Sequence, residues 1–406
     1  MQGKHIVVIE ATTTGAGSDL FESAVKLGIH ITFMCASYET YRALQLEKYK
    51  KTISIVEVDT TDFPDMLACF NRLKSIDGII CLNDRCIEIA ARLAEHYKLP
   101  FIPYDAVCAC RNKEQTSNIC KLLNIPVPQE YILSSKADIA EIEQSLTFPV
   151  VLKSSRGTGS GEVAHCYNLK DIYEKYSEIK DKAILSAGIV LVQEYIAGSL
   201  VSAEVLIYEG NLLFLGFTDR FIGFPPYFVE YSSTFPSQVS NQVEEKCKRY
   251  IRDIAGYLKI EYGVLHVEFI ESRNGPILIE VNPRMGGSLL GPAISRAYEI
   301  DIYEQIFRLT LKKAPDIPTV TKKSIIFYYL YPQRSGKIKA ITGFKEANSF
   351  PGIIDIEQQL FAGNNAEVPK DFRTKYVAMI MLESENAASA HLNCINAVNR
   401  IKVEYE

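Results

Sequence analysis

The first 105 residues alternate between short apolar segments and amphipathic segments, and this alternation limits the folds that they can form. KHIVVIEA, IHITFMC, TISIVEVD and DGIICLN have the length and composition of strands, whereas GAGSDLFESAVKLG and RCIEIAARLAEHYK have helical spacing. Strand and helix follow each other in units of about 25 residues, which is typical of parallel sheets covered by helices. Residues 1–110 are therefore predicted to form a parallel α/β domain.

The pattern changes near Lys113, because most of the later strands follow one another directly. FPVVLK, GEVAHCYN and IVLVQEYI are predicted strands, and a turn at Gly198 separates them from longer strands. YGVLHVEFIES and GPILIEVNPR, joined near Asn274-Gly275, form a hairpin-like pair. Residues 111–310 are thus predicted to be an α+β domain rich in antiparallel strands, and residues 311–406 a smaller α+β extension.

Composition and charge exclude several classes of partner. The chain of 406 residues has a formal net charge of −5, so its electrostatics do not favour nucleic acid or an anionic membrane surface. No apolar run reaches the roughly 18 to 20 residues that a membrane span needs. The ten cysteines form no CxxC pair, which indicates reduced thiols rather than a zinc site. We therefore expect a cytoplasmic protein that acts on small molecules.

Polar side chains interrupt two late strands that are otherwise apolar. In VLHVEFI, His266 and Glu268 share a face, and in ILIEVNPR, Glu280 and Asn282 share a face. If the strands pair antiparallel, Glu268 and Glu280 meet on one side of the sheet. Carboxylate and carboxamide oxygens are ligands that suit Mg²⁺, which is usually shared with substrate phosphates. These residues therefore predict a metal site, and His266 is predicted to be a hydrogen-bonded sheet histidine rather than a catalytic base.

A glycine-rich loop follows the strand that carries Lys153. In VVLKSSRGTGSGEV, the glycines at 157, 159 and 161 allow backbone N–H groups to surround phosphates, and the serines add donors. The loop lacks the GxxxxGK[ST] pattern of a P-loop, and no HRD or DFG element of a protein kinase follows it. Lys113, before a predicted helix, is a second candidate cation for phosphate.

Taken in order along the chain, these motifs resemble those of the ATP-grasp superfamily. The residues that carry the resemblance are Lys113 in RNKEQT, Lys153 in FPVVLKSSRGTGSGEV, Glu194 in VQEYIAGS, Glu268 in HVEFI, and the segment EVNPRMGG that starts at Glu280. The resemblance covers most of the chain. It implies an N-terminal α/β domain at 1–110, a central ATP-grasp fold at 111–310 with residues 154–161 as a lid, and a C-terminal α+β extension at 311–406.

The resemblance also implies the cofactors and their contacts. ATP and Mg²⁺, which Mn²⁺ can replace, are the expected cofactors. The implied ATP-binding residues are Lys113, Lys153, Ser155, Gly157, Gly159, Ser160, Glu194 and Ile196, of which the last two would border the adenine. The implied metal ligands are Glu268, Glu280 and Asn282. Arg284 is expected to contact the γ-phosphoryl group or the substrate carboxylate, and Gly287 to leave room for the substrate.

Within the superfamily, the layout looks most like that of the L-amino-acid ligases. The segment FIGFPPYFVEYSSTFPS places Glu230 where those relatives carry a glutamate for the substrate amine, and Ser233 where they often carry a histidine. Glu204 is the candidate carboxylate for the ribose. Such enzymes join a carboxylate to an amine through an acyl phosphate and release ADP and phosphate. Relatives are commonly dimers, so a homodimer is expected.

Two alternatives stay open on the sequence. One is another ATP-grasp activity, either a carboxylating enzyme or a purine-pathway ligase, although GGSLLGPAISRAYEIDIY shows nothing of a bicarbonate and biotin apparatus. The other is a nucleotide-binding regulator without turnover. A regulator of that kind is expected to lack a metal ligand or a phosphate-binding lysine, and here all of these residues are present.

Overall fold

The computed structural model of the protein describes residues 1–13, 15–157, 161–183, 186–371 and 373–406. It has the predicted fold class, with a parallel N-terminal sheet, a central antiparallel region and C-terminal α+β structure. Among the described residues, no helix is both long and apolar enough to cross a membrane. The ten cysteines are free thiols, and most of them are buried.

The N-terminal sheet is parallel, as predicted, and helices cover it. Its strands are β1 (His5–Ile9), β2 (His30–Cys35), β3 (Ile53–Glu57) and β4 (Gly78–Cys81), in the order β3-β2-β1-β4. The helices are α1 (Gly15–Lys26), α2 (Phe63–Phe70), α3 (Ile87–His96) and α4 (Tyr104–Arg111), with 3₁₀ turns at Tyr38–Leu44 and Leu46–Tyr49. Alternate residues of β1 enter two different hydrophobic cores, because both faces of a parallel sheet are buried.

A small antiparallel sheet follows and has a hydrophobic core of its own. Its strands are β5 (Glu130–Leu133), β6 (Val150–Ser154), β7 (Val163–Cys166) and β8 (Val190–Glu194), in the order β5-β8-β6-β7. Helices α6 (Asp138–Ile142) and α7 (Leu169–Lys182) pack on this sheet, with a 3₁₀ turn at Glu143–Ser145. Helix α5 (Lys113–Leu122), which precedes the sheet in the chain, instead contributes Cys120 to a core shared with the N-terminal and central sheets. Helix α7 buries Ile172, Tyr176 and Ile179 against this sheet. The core is separate from the rest of the molecule, so the small sheet forms its own subdomain.

The large central sheet has eight strands in the order β13-β12-β9-β10-β11-β14-β18-β16. Its first five strands in the chain are β9 (Gly198–Tyr208), β10 (Asn211–Gly223), β11 (Val229–Phe235), β12 (Tyr262–Ser272) and β13 (Gly275–Asn282). Helices α8 (Asn241–Tyr257), α9 (Leu290–Tyr298) and α10 (Ile302–Thr310) accompany them. Val201, Ala203 and Val205 of β9 pack in the same core as α8, which leaves Ser202 and Glu204 on the opposite face.

The C-terminal residues continue the central sheet. Their elements are β14 (Ser324–Leu330), β15 (Gly336–Thr342), α11 (Phe344–Asn348), β16 (Ile353–Gln358), β17 (Asn365–Ala366), β18 (Ala378–Ser384), α12 (Ala387–Val398) and β19 (Lys402–Tyr405). Strands β14, β18 and β16 extend the large sheet, and β17, β15 and β19 form a small one. The continuity of the sheet was not predicted, because strand patterns alone do not specify which strands pair.

Candidate active site

A cavity of about 680 Å³ opens between the small sheet and the central sheet. We call it the central cavity. The small subdomain contributes Lys153 and Gln193 to its lining, and the central sheet contributes Arg220, Glu268 and Glu280. A concave site between two subdomains with a few convergent charged groups is the usual form of a ligand pocket.

Charged side chains from neighbouring strands meet on one face of the central sheet. Glu268 of β12 lies directly opposite Glu280 of β13, as the sequence predicted from an antiparallel pairing. Arg220 of β10 donates from Nη1 to Oε1 of Glu268 at 2.7 Å and from Nη2 to Glu230 of β11. Ser233, the cross-strand partner of Arg220, donates its hydroxyl to Glu230. We call Glu280, Glu268, Arg220 and Glu230 the charged row.

Electrostatics within the charged row keep Glu268 and Arg220 ionised. Burial alone would raise the pKa of Glu268, but Arg220 and His266 outweigh it and hold that pKa well below its usual range. Burial opposes the charge of Arg220 as well, and the carboxylates of Glu230 and Glu268 nevertheless raise its pKa. Arg220 and Glu268 therefore present fixed positive and negative charge to the cavity.

Two lysines line the central cavity, Lys153 from β6 of the small subdomain and Lys113 from the start of α5. Lys113 is the first residue of α5, and its Nζ lies 2.8 Å from Oε1 of Glu280 and 3.0 Å from the carbonyl oxygen of Gly157. Lys153 on β6 is 5% exposed. Burial, followed by repulsion from Lys113, lowers the pKa of Lys153 to about 8. Both predicted phosphate cations therefore lie beside the charged row.

The predicted lid begins next to these lysines. The carbonyl oxygen of Ser155 accepts from the backbone N–H of Lys113 at 3.1 Å, so the start of the lid is joined to the start of α5. Gly157 lines the cavity. Gly159 and Ser160, also predicted to bind ATP, lie outside the described residues.

The predicted adenine-binding residues lie at another part of the cavity wall. Glu194 ends β8, and Glu194, Tyr195 and Ile196 all line the cavity. The ring of His165 stacks on that of Tyr195 with centroids 4.4 Å apart. Next along the chain, a Cβ on Gly198 would collide with the carbonyl oxygen of Glu271, so glycine is needed where β9 approaches β12. A planar base can be held at such an apolar edge.

Arg284, which is predicted to contact the γ-phosphoryl group or the substrate carboxylate, is bound by Asp84 and a backbone carbonyl. Its Nε donates to Oδ1 of Asp84 at 2.8 Å, Nη2 pairs with the other carboxylate oxygen, and Nη1 donates to the carbonyl oxygen of Met285 at 2.9 Å. Arg111 also lies 3.3 Å from Asp84. Arg284 is not one of the described residues that line the central cavity. The structure thus joins Arg284 to the N-terminal sheet through the loop after β4.

Glu204 is not a ribose ligand in this structure, so that expectation from the sequence is wrong. It is fully buried, pairs with Nδ1 of His266 and accepts the backbone N–H of Gly286 at 3.1 Å. Burial would lower the pKa of His266, but Glu204 and Glu268 raise it to about 9. His266 is therefore a hydrogen-bonded sheet histidine, as predicted. Asn282, buried and directly across from it, completes this part of the sheet.

The remaining predicted substrate residues lie outside the lining of the central cavity. Glu230 and Ser233 are not among its described lining residues. Gly287 faces open space, since a Cβ there would meet nothing within 4 Å. The neighbouring Ser288 makes a hydroxyl contact with Tyr329 of β14. Of these groups, Glu230 contacts Arg220, which does line the cavity.

The oxygen ligands fit a Mg²⁺ ion that shares its coordination with phosphates. Glu268 and Glu280 are cross-strand neighbours, and Asn282 follows on the same face of β13. Among the described residues, no group of three or more histidine, cysteine, aspartate or glutamate side chains could hold a metal ion. Mg²⁺ is usually bound through one or two carboxylates, with waters and substrate phosphates completing its shell. The donor set is therefore the kind that suits such a shared ion.

Sequence reasoning missed Arg220 and Asp84. Arg220 lies in the strand NLLFLGFTDRFIG, where a guanidinium among apolar residues is the same kind of interruption that identified Glu268. That signal was available in the sequence. Asp84 follows β4 in a loop, and nothing in its local sequence indicates an arginine partner that lies 200 positions away.

Comparisons with known proteins agree with this geometry. Family models match the ATP-grasp N-terminal domain at residues 21–101, the ATP-grasp domain at 146–292, and the L-amino acid ligase C-terminal domain 2 at 328–406. The crystal structure of an L-amino acid ligase from Bacillus licheniformis has the same fold, with a TM-score of 0.81, 19% identity and full coverage of both chains. A phosphoribosylglycinamide synthetase from Anaerococcus prevotii matches in fold with a TM-score of 0.73 and 17% identity over 99% of this chain and all of its own.

Three sequence relatives are 19% to 25% identical to this chain. The uncharacterised protein y4rH of Sinorhizobium fredii is 24% identical over 87% of this chain and 73% of its own length. An L-arginine-specific L-amino acid ligase of Bacillus subtilis is 19% identical over 74% of each chain. Carnosine synthase 1 of Mus musculus is 25% identical, but this chain covers only 30% of it. The matched models show that this chain contains ATP-grasp domains, and in its C-terminal domain and its fold it resembles the L-amino-acid ligases.

Proposed function

We propose that this protein joins the carboxylate of an amino acid to an amine, with ATP as the energy source. The carboxylate would become an acyl phosphate, and attack by the amine would then release phosphate. The observation that carries the proposal is the charged row, since Glu280, Glu268 and Arg220 border the central cavity beside Lys113 and Lys153. A carboxylate can attack ATP only where cations offset the repulsion between two anions.

The proposed roles follow the positions of the side chains. Lys113 and Lys153 would bind the ATP phosphates, and Glu194 and Ile196 would border the adenine. Glu268, Glu280 and Asn282 would hold Mg²⁺, or Mn²⁺ in its place. When bound, this ion would neutralise phosphate charge. The proposed ATP-binding residues of the lid are Ser155, Gly157, Gly159 and Ser160. The lid would exclude water, because an acyl phosphate hydrolyses when it is wet.

The substrate residues would act on the other side of Arg220. Glu230 and Ser233 would hold the substrate amine, because a fixed carboxylate beside a hydroxyl suits an ammonium group. Gly287 would leave space for the acyl group. Arg284 would contact the substrate carboxylate or the tetrahedral oxyanion formed when the amine attacks. These assignments, together with domain limits at 1–110, 111–310 and 311–406 and a cytoplasmic homodimer, are parts of the same proposal.

The test is ADP formation with Mg²⁺ and ATP against the twenty amino acids, singly and in pairs, with mass spectrometry of the products. We expect a pair-dependent signal and a product whose mass equals the sum of the two amino acids minus water. If no pair of amino acids stimulated ADP formation, amino-acid ligation would be contradicted. Bicarbonate-dependent turnover would then indicate a carboxylating enzyme, and nucleotide binding without any turnover would indicate a regulator.

A further inference from the structure

Arg220 lies at the boundary between two separate groups of candidate residues. It lines the central cavity with the ATP candidates, whereas Glu230, which it contacts, does not occur among the described lining residues. The side chain of Glu230 is 21% exposed. Tyr329, which contacts Ser288, lies on β14, and β14 is paired with β11, the strand that carries Glu230.

We propose that Arg220 is a catalytic residue that contacts both the γ-phosphoryl group of ATP and the carboxylate that attacks it. This inference rests on the proposed ligase function and deepens it. The nucleotide would reach Arg220 through the central cavity, and the amino acid would reach it from the side of Glu230. A group that has to touch both reactants must lie where the two regions meet, and Arg220 is such a group.

The surroundings of Arg220 hold its guanidinium in one orientation before any reactant binds. Nη1 contacts Glu268 at 2.7 Å and Nη2 contacts Glu230, so carboxylates hold both terminal nitrogens of the planar guanidinium. The backbone is part of β10, paired on one side with β9 and on the other with β11. A donor fixed in this way stabilises developing charge without having to reorganise. A lysine in its place would keep the charge and lose the fork.

Arg284, the other arginine of the proposed site, is bound by residues outside the central cavity. Its Nε and Nη2 are bound by Asp84 and its Nη1 by the carbonyl oxygen of Met285. Among the described residues, it does not line the central cavity. Arg220 is thus the guanidinium that borders the cavity beside the proposed metal ligands.

The step that Arg220 would assist is balanced in atoms and charge. A carboxylate oxygen attacks the γ-phosphorus, a new O–P bond forms, and the bond from phosphorus to the β–γ bridging oxygen breaks. ADP leaves with that electron pair, and no proton is transferred. Charge on the transferring phosphoryl group spreads over its equatorial oxygens. Arg220 would donate hydrogen bonds to one of these and to the attacking carboxylate, holding the two anions together.

The test measures how fluoroaluminate, a mimic of the transferring phosphoryl group, strengthens binding of Mg-ADP to the full chain by calorimetry. In the wild-type protein we expect fluoroaluminate to tighten ADP binding at least about 100-fold, as transition-state analogues do. In Arg220→Met the affinity for ADP alone should stay within about threefold, and the tightening should fall below about tenfold. Arg220→Lys should give an intermediate value. Arg42→Met, at an exposed arginine of the N-terminal region, should match the wild type.

A double variant separates the loss of the phosphoryl contact from a general loss of folding. Arg220→Met leaves two carboxylates without their cation, so Arg220→Met with Glu230→Gln removes one of them and should show the same loss of tightening. The proposal would be overturned if fluoroaluminate strengthened ADP binding in Arg220→Met as much as in the wild type. It would also be overturned if fluoroaluminate had no effect on ADP binding in the wild type, or if Arg220→Met lost the same affinity for ADP with and without fluoroaluminate. The amino-acid assay is separate. Suppose that fluoroaluminate strengthens ADP binding in the wild type through Arg220, but no amino acid stimulates ADP formation. The proposed ligase function would then be wrong, and the contact of Arg220 with the phosphoryl group would still hold.

Discussion

The molecule contains two arginine-centred clusters, and they differ in what surrounds the guanidinium. Arg220 lies in the middle of the central sheet between Glu268 and Glu230 and borders a cavity. Arg284 lies just after the end of β13 and is held from two sides by Asp84, which belongs to the N-terminal region. One cluster presents charge to a cavity and the other joins two parts of the chain. Removing a carboxylate from the first cluster should impair turnover, and removing the Asp84 carboxylate from the second should impair stability.

Removing a carboxylate from the charged row should have the largest effect on activity. Glu280 faces Glu268 across the hairpin and contacts Lys113. We expect Glu280→Gln to lower ATP turnover roughly 10³-fold, because a metal ion contributes several kcal/mol of charge stabilisation and each 1.4 kcal/mol is a factor of ten. ADP formation at saturating Mg²⁺ measures this. Glu245→Gln, on the exposed side of α8, is the control, and turnover in Glu280→Gln close to that of the control would remove Glu280 from the metal site.

Asp84→Asn tests the second cluster and should act on stability. The carboxylate of Asp84 faces Arg284 and Arg111, both largely buried. Burial would raise the pKa of Asp84, but these two arginines outweigh it and keep that pKa below its ordinary value. Leaving buried cations without their partner costs about 3–5 kcal/mol. Urea unfolding should show that loss, while the affinity for Mg-ADP, measured where the variant is folded, stays unchanged. A normal unfolding midpoint with weakened nucleotide binding would reverse the contrast between the clusters.

Lys153 should make stability depend on pH, because it is buried and charged within the cavity wall. Its pKa is lowered from 10.5 to about 8. The folded protein therefore binds fewer protons than the unfolded chain between these values, and stability rises with pH across that window. Relative to Lys153→Met, the wild type should gain up to roughly 3 kcal/mol between pH 8 and 10.5, with no change in the difference below pH 7.

Urea unfolding over that pH range measures the difference, and Lys170→Met provides a matched variant on α7 with an exposed lysine. Lys170→Met should follow the wild type at every pH. Mg-ADP should flatten the dependence, since nearby phosphates favour the charged lysine. If Lys153→Met and Lys170→Met give the same dependence, Lys153 is not buried in the way that the structure shows.

Residue patterns predicted the elements of the fold better than their arrangement. The alternation of strands and helices was enough to predict the parallel sheet. The hairpin formed by the EVNPR strand and its partner was enough to predict that Glu268 and Glu280 lie opposite each other. Both depend on local periodicity or on a short turn. The addition of β14, β18 and β16 to the central sheet depends on pairing between distant segments. Hydrophobic patterns carry no information about such partners.

The same limit applies to the candidate site. Glu204 could be assigned to the ribose only because its sequence position suited that role. In the fold, Glu204 faces His266 and the N–H of Gly286 instead. A Cβ at Gly286 would lie 2.9 Å from Nδ1 of His266, so the loop and the histidine fit together only through a glycine. Contacts of this kind depend on tertiary packing, which a single sequence does not reveal.

His266→Asn is expected to have the smallest effect and to separate a positioning role from a catalytic one. His266 connects Glu204 to Glu268, with Nε2 3.1 Å from Oε1 of Glu268. Loss of a partner that orients a metal ligand typically costs about 10–100-fold. We expect kcat to fall by that factor and the shape of the pH–rate profile to stay the same, since no proton would pass through His266. His30→Asn, at an exposed strand end, should leave both unchanged. Loss of one limb of the profile in His266→Asn alone would make His266 an acid or base in the reaction, and the charged row would then include a proton-transfer group rather than fixed charges alone.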